Sequence, residues 1–209
     1  MVHIFIPNKQ SERFPNKNSK LLSYTASWLE RAVPLLDESF RIYFVGEHIP
    51  NIPASWCYLP AEVEKGHLHV LQSAEQSVNP GSADVCVQTQ LTQPLREDDL
   101  LRRAVALCRS TGRTVVSATE MPDPTWRRLD SSGAWSAKKL SCHVPFYDGR
   151  IYAWLPGHVA EIFDSRCPHA VVYSVFPFIV DVDRPEDLPS ELVSILEAEK
   201  RVGQGTVQE

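Results

Sequence analysis

The sequence lacks an apolar run long enough to cross a bilayer, because nowhere do about 18 apolar residues follow one another. It also lacks an excess of positive charge, with 21 Lys and Arg against 26 Asp and Glu. Proteins that coat nucleic acid or anionic membranes need a concentrated positive surface, so both classes are excluded. The first residues have no basic segment ahead of a hydrophobic one, which argues against a signal peptide. These absences predict a cytoplasmic protein with no nucleic-acid or membrane partner.

Motifs for metal, disulfide and common nucleotide sites are missing as well. The five cysteines form no C-x-x-C pair, which excludes a structural zinc site and a disulfide framework. Cys86 and Cys108 lie in apolar stretches and are predicted to be buried thiols. His67 and His69 are two residues apart on a predicted helix, so they point to different faces and do not suggest a metal site. No G-x-x-x-x-G-K-[ST] or G-x-G-x-x-G segment occurs.

Short apolar runs alternate with helical patterns along most of the chain. This alternation predicts one α/β domain with a mainly parallel sheet and helices on both faces. Strands are predicted at 2–6, 41–45, 56–59, 85–89 and 114–118, helices at 23–36, 62–78, 97–109, 158–163 and 187–199, and further ordered segments at 150–155, 171–175 and 178–182. Residues 119–147 are predicted to form a hairpin or insertion at the edge of a domain that spans residues 1–200. Residues 201–209 are predicted to form a frayed tail.

The predicted loop after the first strand, residues 7–20, concentrates cations and polar side chains. In an open parallel sheet, ligands bind beyond the carboxyl ends of the strands, and this loop is a usual place for phosphate. Lys9, Arg13 and Lys17 could neutralise phosphate oxygens there. A basic loop can also be a solvated connection, and this segment alone does not decide between the two.

Two later segments agree with a phosphate site. Residues 88–96 follow the predicted strand at 85–89 and lead into a helix. Asp181 and Asp183 end a late predicted strand, and their spacing places both carboxylates on one face, where they can share a hard cation such as Mg²⁺. Two solvated aspartates at a strand end are the alternative interpretation.

Four segments together resemble a known family. They are I-P-N-K-Q-S-E-R-F-P-N-K-N at 6–18, Q-L-T-Q-P-L-R at 90–96, D-G-R-I-Y at 148–152 and I-V-D-V-D-R-P-E-D-L at 179–188. They resemble, in the same order, I-P-A-R-x-G-S-x-x-x-P-x-K-N, Q-P-T-S-P-L-R, N-G-A-I-Y and I-D-I-D-x-P-E-D-L of the sugar-acid cytidylyltransferases. These enzymes are the CMP-sialic acid synthetases and their CMP-Kdo synthetase relatives.

The resemblance implies a Rossmann-like nucleotide-diphospho-sugar transferase fold and a reaction. A sugar-acid hydroxyl would attack the α-phosphorus of CTP, release pyrophosphate and leave a CMP-sugar. The residues implied are Lys17 and Arg13 for catalysis, Lys9, Ser11, Asn18, Gln90 and Thr92 for the nucleotide, Gln93, Arg96 and Tyr152 for the acceptor, and Asp181 and Asp183 for Mg²⁺. Among them Lys17 would hold the α-phosphate, and Arg96 suits a substrate carboxylate.

The chain departs from the family pattern at several places, so three interpretations stay open. Lys9 replaces an arginine, the loop is one residue shorter and lacks its glycine, and Leu59 precedes Pro60 where relatives have arginine. The chain is an active, magnesium-dependent cytidylyltransferase, or a binding homologue without turnover, or a nucleotidyltransferase for a non-sugar acid such as a phosphonate. The resemblance is compatible with a homodimer, because in the resembling family the segment that corresponds to residues 119–147 serves dimerisation.

Overall fold

The computed structural model describes residues 1–9, 17–94, 96–119, 125–129, 135–139, 146–164 and 166–174. Within these ranges the strands are β1 (Val2–Asn8), β2 (Phe40–Gly46), β3 (Cys57–Leu59), β4 (Val85–Thr89), β5 (Val115–Thr119), β6 (Thr125–Leu129), β7 (Trp135–Lys139), β8 (Phe146–Trp154) and β9 (Ala170–Ser174). The helices are α1 (Lys17–Ala32), α2 (His67–Val78) and α3 (Leu100–Thr111), with 3-10 turns at Val33–Leu35, Val63–Lys65 and Val159–Phe163.

Seven of these strands form one sheet in the order β3-β2-β1-β4-β8-β5-β9. All neighbouring pairs are parallel except those of β8, which runs antiparallel to both β4 and β5. The predicted mainly parallel α/β architecture is therefore confirmed. Strand β8 begins beside the end of β5, with Phe146 opposite Thr119, so the segment between them leaves and re-enters at the carboxyl edge of the sheet. Its strands β6 and β7 pair as an antiparallel hairpin, as predicted.

Helices cover both faces of the sheet because the strands are apolar on both sides. On one face, side chains of β1 and β4 such as Ile4 and Val87 pack against Trp28 of α1 and Leu101 of α3. On the other face, Phe5 and Trp154 pack against Leu71 of α2. Such double coverage is typical of parallel sheets, whose strands read as continuous apolar runs.

Helices α1 and α3 differ from their predicted bounds at their first residues. Helix α1 begins at Lys17, so the predicted loop at 7–20 loses its last four residues to the helix. Helix α3 begins at Leu100 with Asp99 at its N-cap position, so residues 97–99, which the predicted helix at 97–109 includes, precede it. Polar first turns carry no apolar periodicity, and for that reason sequence patterns place helix ends poorly.

The predicted burial of two thiols is confirmed. Cys86 and Cys108 are fully buried in the two cores. Burial raises the pKa of Cys108 to about 11 and raises that of Cys86 further, so both thiols stay protonated at neutral pH. No helix in the described ranges is both long and apolar enough to span a membrane.

Gly46 holds the end of β2 against the end of β1. Its φ is +111°, and a Cβ there would stand 2.3 Å from the carbonyl oxygen of Asn8 and 2.9 Å from Cγ1 of Val63. The backbone at Asn8 cannot yield, because its carbonyl also accepts the N–H of Glu47 at 3.2 Å. No other residue type fits this position without moving β1 against β2.

We expect Gly46→Ala to lower the free energy of unfolding by about 3 kcal/mol, since it adds a clash to an unfavourable φ. Gly112→Ala is the matched control, because Gly112 has a φ of +64° and its Cβ would meet no atom within 4 Å in the described residues. It should lose only about 1 kcal/mol, the cost of a left-handed conformation. Urea unfolding of both variants measures the difference, and equal losses would contradict the role of the Asn8 carbonyl.

Candidate active site

Two asparagines join the end of β1 to the beginning of α1. The Nδ2 group of Asn18 donates to Oδ1 of Asn8 at 2.6 Å and to the carbonyl of Lys9 at 2.8 Å. Asn8 in turn donates to the carbonyl of Glu47 at 2.6 Å. Both asparagines are buried. The two ends of segment 9–17 are thus held together at the carboxyl edge of the sheet, where the sequence predicts phosphate binding.

Lys17 occupies the first position of α1 and is 6% exposed. The N-terminal end of a helix carries a partial positive charge, so an ammonium group there adds to a field that favours anions. Lys9, at the other end of the same segment, is exposed. The predicted site residues Ser11 and Arg13 lie outside the described residues.

The segment after β4 folds back on the carbonyl of Gln90. This oxygen accepts the N–H of Gln93 at 3.4 Å and a guanidinium N–H of Arg96. The hydroxyl of Thr92 donates to the Gln90 side chain at 3.4 Å. Gln93 is buried, and its Oε1 atom has no hydrogen-bond partner among the described residues. The predicted Gln90, Thr92 and Gln93 therefore form one compact turn at the carboxyl edge.

Arg96 connects this turn to α1. The residue is 2% exposed, and its guanidinium lies 4.8 Å from the centre of the Trp28 ring. The same group donates to Oγ1 of Thr25 at 3.4 Å, and the indole N–H of Trp28 donates to the carbonyl of Glu97 at 3.1 Å. Contact of Arg96 with a substrate carboxylate stays a prediction. The contacts seen in the structure instead hold the Gln90 turn against α1, the helix that carries Lys17.

We expect Arg96→Lys to lower the free energy of unfolding by about 2 kcal/mol and to speed amide hydrogen exchange in residues 90–98. A lysine cannot donate to two acceptors in a fixed fork, and it stacks less well on an indole. Arg102→Lys is the control, since Arg102 lies exposed on α3 and pairs with Asp99 at 3.5 Å. Hydrogen exchange with mass analysis compares the two variants, and identical profiles would contradict the role given to Arg96.

The first residues of β8 bring a further set of polar groups to this edge. Gly149 has a φ of +72°, and a Cβ there would lie 3.5 Å from the Tyr152 hydroxyl and 3.6 Å from Nε2 of Gln90. The Tyr152 hydroxyl and the Gln90 amide, predicted for acceptor and nucleotide, are therefore near neighbours. Lys17, Asn18, the Gln90 turn and Tyr152 all lie along one edge of the sheet.

Arg150 is a site residue that the sequence analysis missed. It is 0% exposed, donates to Oγ1 of Thr119 at 2.8 Å and accepts the Thr89 hydroxyl at its own carbonyl at 3.2 Å. A buried guanidinium places fixed positive charge directly beneath the edge that carries the predicted anion-binding residues. The sequence does contain one signal that could have identified it, since this position holds arginine where the family motif N-G-A-I-Y has alanine.

The predicted magnesium ligands Asp181 and Asp183 lie outside the described residues. Within the described ranges no group of three His, Cys, Asp or Glu side chains could hold a metal ion. Mg²⁺ binding by Asp181 and Asp183 stays a prediction.

Comparison with known proteins identifies the fold. No protein-family profile matches the chain, and no curated protein sequence matches it. Among solved structures, 4-diphosphocytidyl-2C-methyl-D-erythritol synthase from Anaerococcus prevotii superposes with a TM-score of 0.65 at 14% identity, over 93% of this chain and 97% of that one. The 2-C-methyl-D-erythritol 4-phosphate cytidylyltransferase of Francisella tularensis gives 0.65 at 12% identity, over 93% and 99%.

A further 4-diphosphocytidyl-2C-methyl-D-erythritol synthase structure gives a TM-score of 0.62 at 13% identity, over 93% of this chain and 98% of that one. At these identities the likeness establishes the architecture. The chain has the Rossmann-like α/β fold of these structures. It shares this fold, over nearly its full length, with one protein named as a cytidylyltransferase and two named as 4-diphosphocytidyl-2C-methyl-D-erythritol synthases.

Proposed function

We propose that this protein transfers CMP from CTP to a hydroxyl group of a small acidic acceptor and releases pyrophosphate. The observation that carries the proposal is the convergence of Lys17, Asn18, Gln90 and Tyr152 on the carboxyl edge of a sheet whose fold is shared with cytidylyltransferases. In open α/β sheets this edge is where ligands bind.

The phosphate end of the proposed site is built around α1. The acceptor oxygen forms a bond to the α-phosphorus while the bond to the β-phosphate oxygen breaks, and the hydroxyl proton is released to solvent. Negative charge grows on the α-phosphoryl oxygens and on the leaving pyrophosphate, so preorganised cations are the expected source of catalysis. Lys17 at the start of α1 stabilises the α-phosphoryl group, and Lys9 and Arg13 hold the outer phosphates. Ser11 and Asn18 position the nucleotide.

The acceptor end is formed by the Gln90 turn and the beginning of β8. Gln93 and Tyr152 supply an amide and a hydroxyl group to orient the acceptor, and Gln90 and Thr92 contact the nucleotide beside it. Arg96 fixes the turn to α1, so acceptor and triphosphate are held in one frame. Arg150, beneath the same edge, adds positive potential that favours an acidic acceptor.

Asp181 and Asp183 are proposed to hold Mg²⁺, which would screen the phosphate charges and lower the pKa of the attacking hydroxyl. The spacing of the two carboxylates supports this assignment, because hard cations prefer clustered carboxylate oxygens.

Two acceptor classes follow from different observations. The four-motif resemblance favours a sugar acid, with transfer to give a CMP-sugar. The names of the superposed structures favour a phosphorylated polyol, since one of those proteins acts on 2-C-methyl-D-erythritol 4-phosphate. A sugar acid would attack the α-phosphorus through a hydroxyl group, whereas a phosphorylated polyol would attack through its phosphate oxygen and give a diphosphate link, as the name 4-diphosphocytidyl indicates. Both acceptors are small anions.

Pyrophosphate release with a matrix of substrates tests the proposal. CTP, UTP, ATP and GTP are each combined with a sialic acid, Kdo, 2-C-methyl-D-erythritol 4-phosphate or a hydroxylated phosphonate, with magnesium or with excess EDTA. We expect release that requires CTP, one acceptor class and the metal. No release above background in any combination would favour the binding homologue, and undiminished release in EDTA would overturn the magnesium assignment.

A further inference from the structure

The end of β9 is held against the segment before α3 by the side chain of Glu97. Its Oε1 atom accepts a guanidinium N–H of Arg103 at 2.7 Å, and its Oε2 atom accepts the hydroxyl of Ser174 at 3.0 Å. The same arginine donates to the carbonyl of Tyr173 at 2.7 Å. The Glu97 side chain is only 11% exposed, so salt screens its ion pair with Arg103 weakly. These contacts fix the position of the last two residues of β9.

The main chain of Glu97 contacts the opposite part of the candidate site. Its carbonyl accepts the indole N–H of Trp28, a residue of α1, at 3.1 Å. The ring of Trp28 in turn lies 4.8 Å from the guanidinium of Arg96, which donates to the carbonyl of Gln90. Glu97 directly follows Arg96 in the chain. The residue therefore contacts β9 through its carboxylate and α1 through its carbonyl, and it follows the arginine that holds the Gln90 turn.

A row of buried polar residues continues from Ser174 across the carboxyl ends of the neighbouring strands. Ser174, the last residue of β9, lies opposite Thr119, the last residue of β5. The Thr119 hydroxyl accepts the Arg150 guanidinium at 2.8 Å, and the Arg150 carbonyl accepts the hydroxyl of Thr89 at 3.2 Å. All four residues are buried. Because Thr89 directly precedes Gln90, the row leads back to the Gln90 turn, and the contacts form a closed ring.

We propose that Glu97 is a positioning residue for the transfer reaction, which holds the Gln90 turn, the beginning of β8 and the end of β9 in one arrangement. This inference rests on the proposed function, in which the Gln90 turn and Tyr152 of β8 contact the two substrates. Glu97 closes the ring of contacts and acts through these neighbours, without touching either substrate. Hydrogen bonds to a carboxylate are shorter and stronger than those between neutral groups, so they define the distances between the elements that they join.

The reaction is sensitive to this arrangement because the attacking oxygen must lie in line with the bond from the α-phosphorus to the leaving pyrophosphate. A displacement of about 1 Å can lower the rate about a hundredfold, even when the substituted residue lies far from the reacting atoms. A displaced acceptor also leaves room for water. The water oxygen would bond to the α-phosphorus while the bond to the β-phosphate oxygen breaks, which gives CMP and pyrophosphate. The share of CTP that is hydrolysed to CMP therefore measures how well the acceptor is positioned.

Glu97→Met tests the inference, because methionine has a similar volume and is only a weak acceptor for Arg103 and Ser174. The full chain is assayed with CTP, magnesium and, in turn, a sialic acid, Kdo, 2-C-methyl-D-erythritol 4-phosphate and a hydroxylated phosphonate. The temperature is one at which circular dichroism shows that each variant is folded. We expect kcat for formation of the CMP conjugate to fall about tenfold to a hundredfold, and the share of CTP hydrolysed to CMP to rise at least about threefold. The KM for CTP should stay within about threefold, because the Asn18 to Asn8 contact at the phosphate end does not involve Glu97.

Two further variants and a control separate positioning from stability. Glu97→Gln keeps an oxygen for Arg103 and an amide that can donate to the Ser174 hydroxyl, so it should recover part of kcat and lower the share of CTP hydrolysed. Ser174→Ala removes one contact of the ring and should give smaller changes in the same direction as Glu97→Met. Glu38→Met is the control, since Glu38 pairs with Arg109 at 3.2 Å near the other end of α3. It should match the wild type in kcat and in CTP hydrolysis, whatever its Tm.

Wild-type kcat and hydrolysis in Glu97→Met would overturn the inference and leave the proposed function intact. A lower kcat with no increase in the share of CTP hydrolysed would also overturn it, because that result indicates a structural role alone. If Glu97→Met does not fold, Glu97→Gln and Ser174→Ala provide the test, and wild-type values in both would overturn the inference. Failure of the wild type to form a CMP conjugate with any of the four acceptors would overturn the proposed function together with the inference.

Discussion

Replacing Lys17 with methionine is expected to lower kcat for CTP turnover by about two to three orders of magnitude, the loss typical of one preorganised electrostatic donor. Lys17 is buried at the first position of α1, and the proposed reaction develops charge at the α-phosphoryl oxygens beside it. Methionine keeps most of the apolar stem and removes only the ammonium group. Steady-state kinetics at saturating CTP and acceptor measure the change.

Lys20→Met is the control for this result, because Lys20 lies exposed on the same helix, about one turn further on. Its kcat should equal that of the wild type. Both proteins are compared by circular dichroism, since Lys17 is buried and its replacement must not unfold α1. A normal kcat in folded Lys17→Met would remove this lysine from the proposed mechanism.

Asp183→Asn is expected to abolish magnesium-dependent turnover, with a loss of at least about a thousandfold in kcat/KM, because a neutral amide is a poor ligand for a hard cation. Two adjacent carboxylates repel one another in the metal-free protein, so the same substitution should leave the free energy of unfolding equal or slightly higher. The sequence places Asp181 and Asp183 two residues apart, the spacing on which this expectation depends.

Two separate experiments measure the metal dependence and the stability of Asp183→Asn. Titration of turnover with magnesium shows whether a metal ligand has been lost. Urea unfolding in the absence of metal shows whether repulsion between the two carboxylates has been relieved. If the variant unfolds more easily, Asp183 stabilises the fold through hydrogen bonds. If turnover and its magnesium dependence survive, the metal is held by other residues. Glu186→Gln, three residues further on, is the control and should change neither quantity.

Apolar periodicity was enough to predict the central strands. The run at 85–89 coincides with β4, and the run at 41–45 lies within β2, because buried parallel strands are continuously apolar. The beginning of α1 was missed for the opposite reason. Its first turn, from Lys17 to Lys20, is polar and resembles the loop before it, and the Asn18 to Asn8 contact that fixes it joins residues of different elements.

The same distinction applies to the candidate site, where some residues could be predicted from the sequence and others could not. Lys17 and the Gln90 turn could be found by their position after strands, since topology brings such positions to one edge. The contacts of Arg96 with Trp28 and of Glu97 with Ser174 could not, because both arise from the packing of helices on the sheet. No local pattern distinguishes an arginine that binds an anion from one that stacks on an indole far away in the sequence, as Arg96 does on Trp28.

The fate of the α-phosphate tests the central claim most directly. The protein is incubated with the active acceptor and CTP labelled with ³²P at either the α or the γ position, and the products are separated. We expect the α label to appear in a new conjugate of CMP with the acceptor and the γ label to appear in pyrophosphate. Transfer of the γ label to the acceptor, or release of either label as inorganic phosphate with no conjugate formed, would contradict the proposed function.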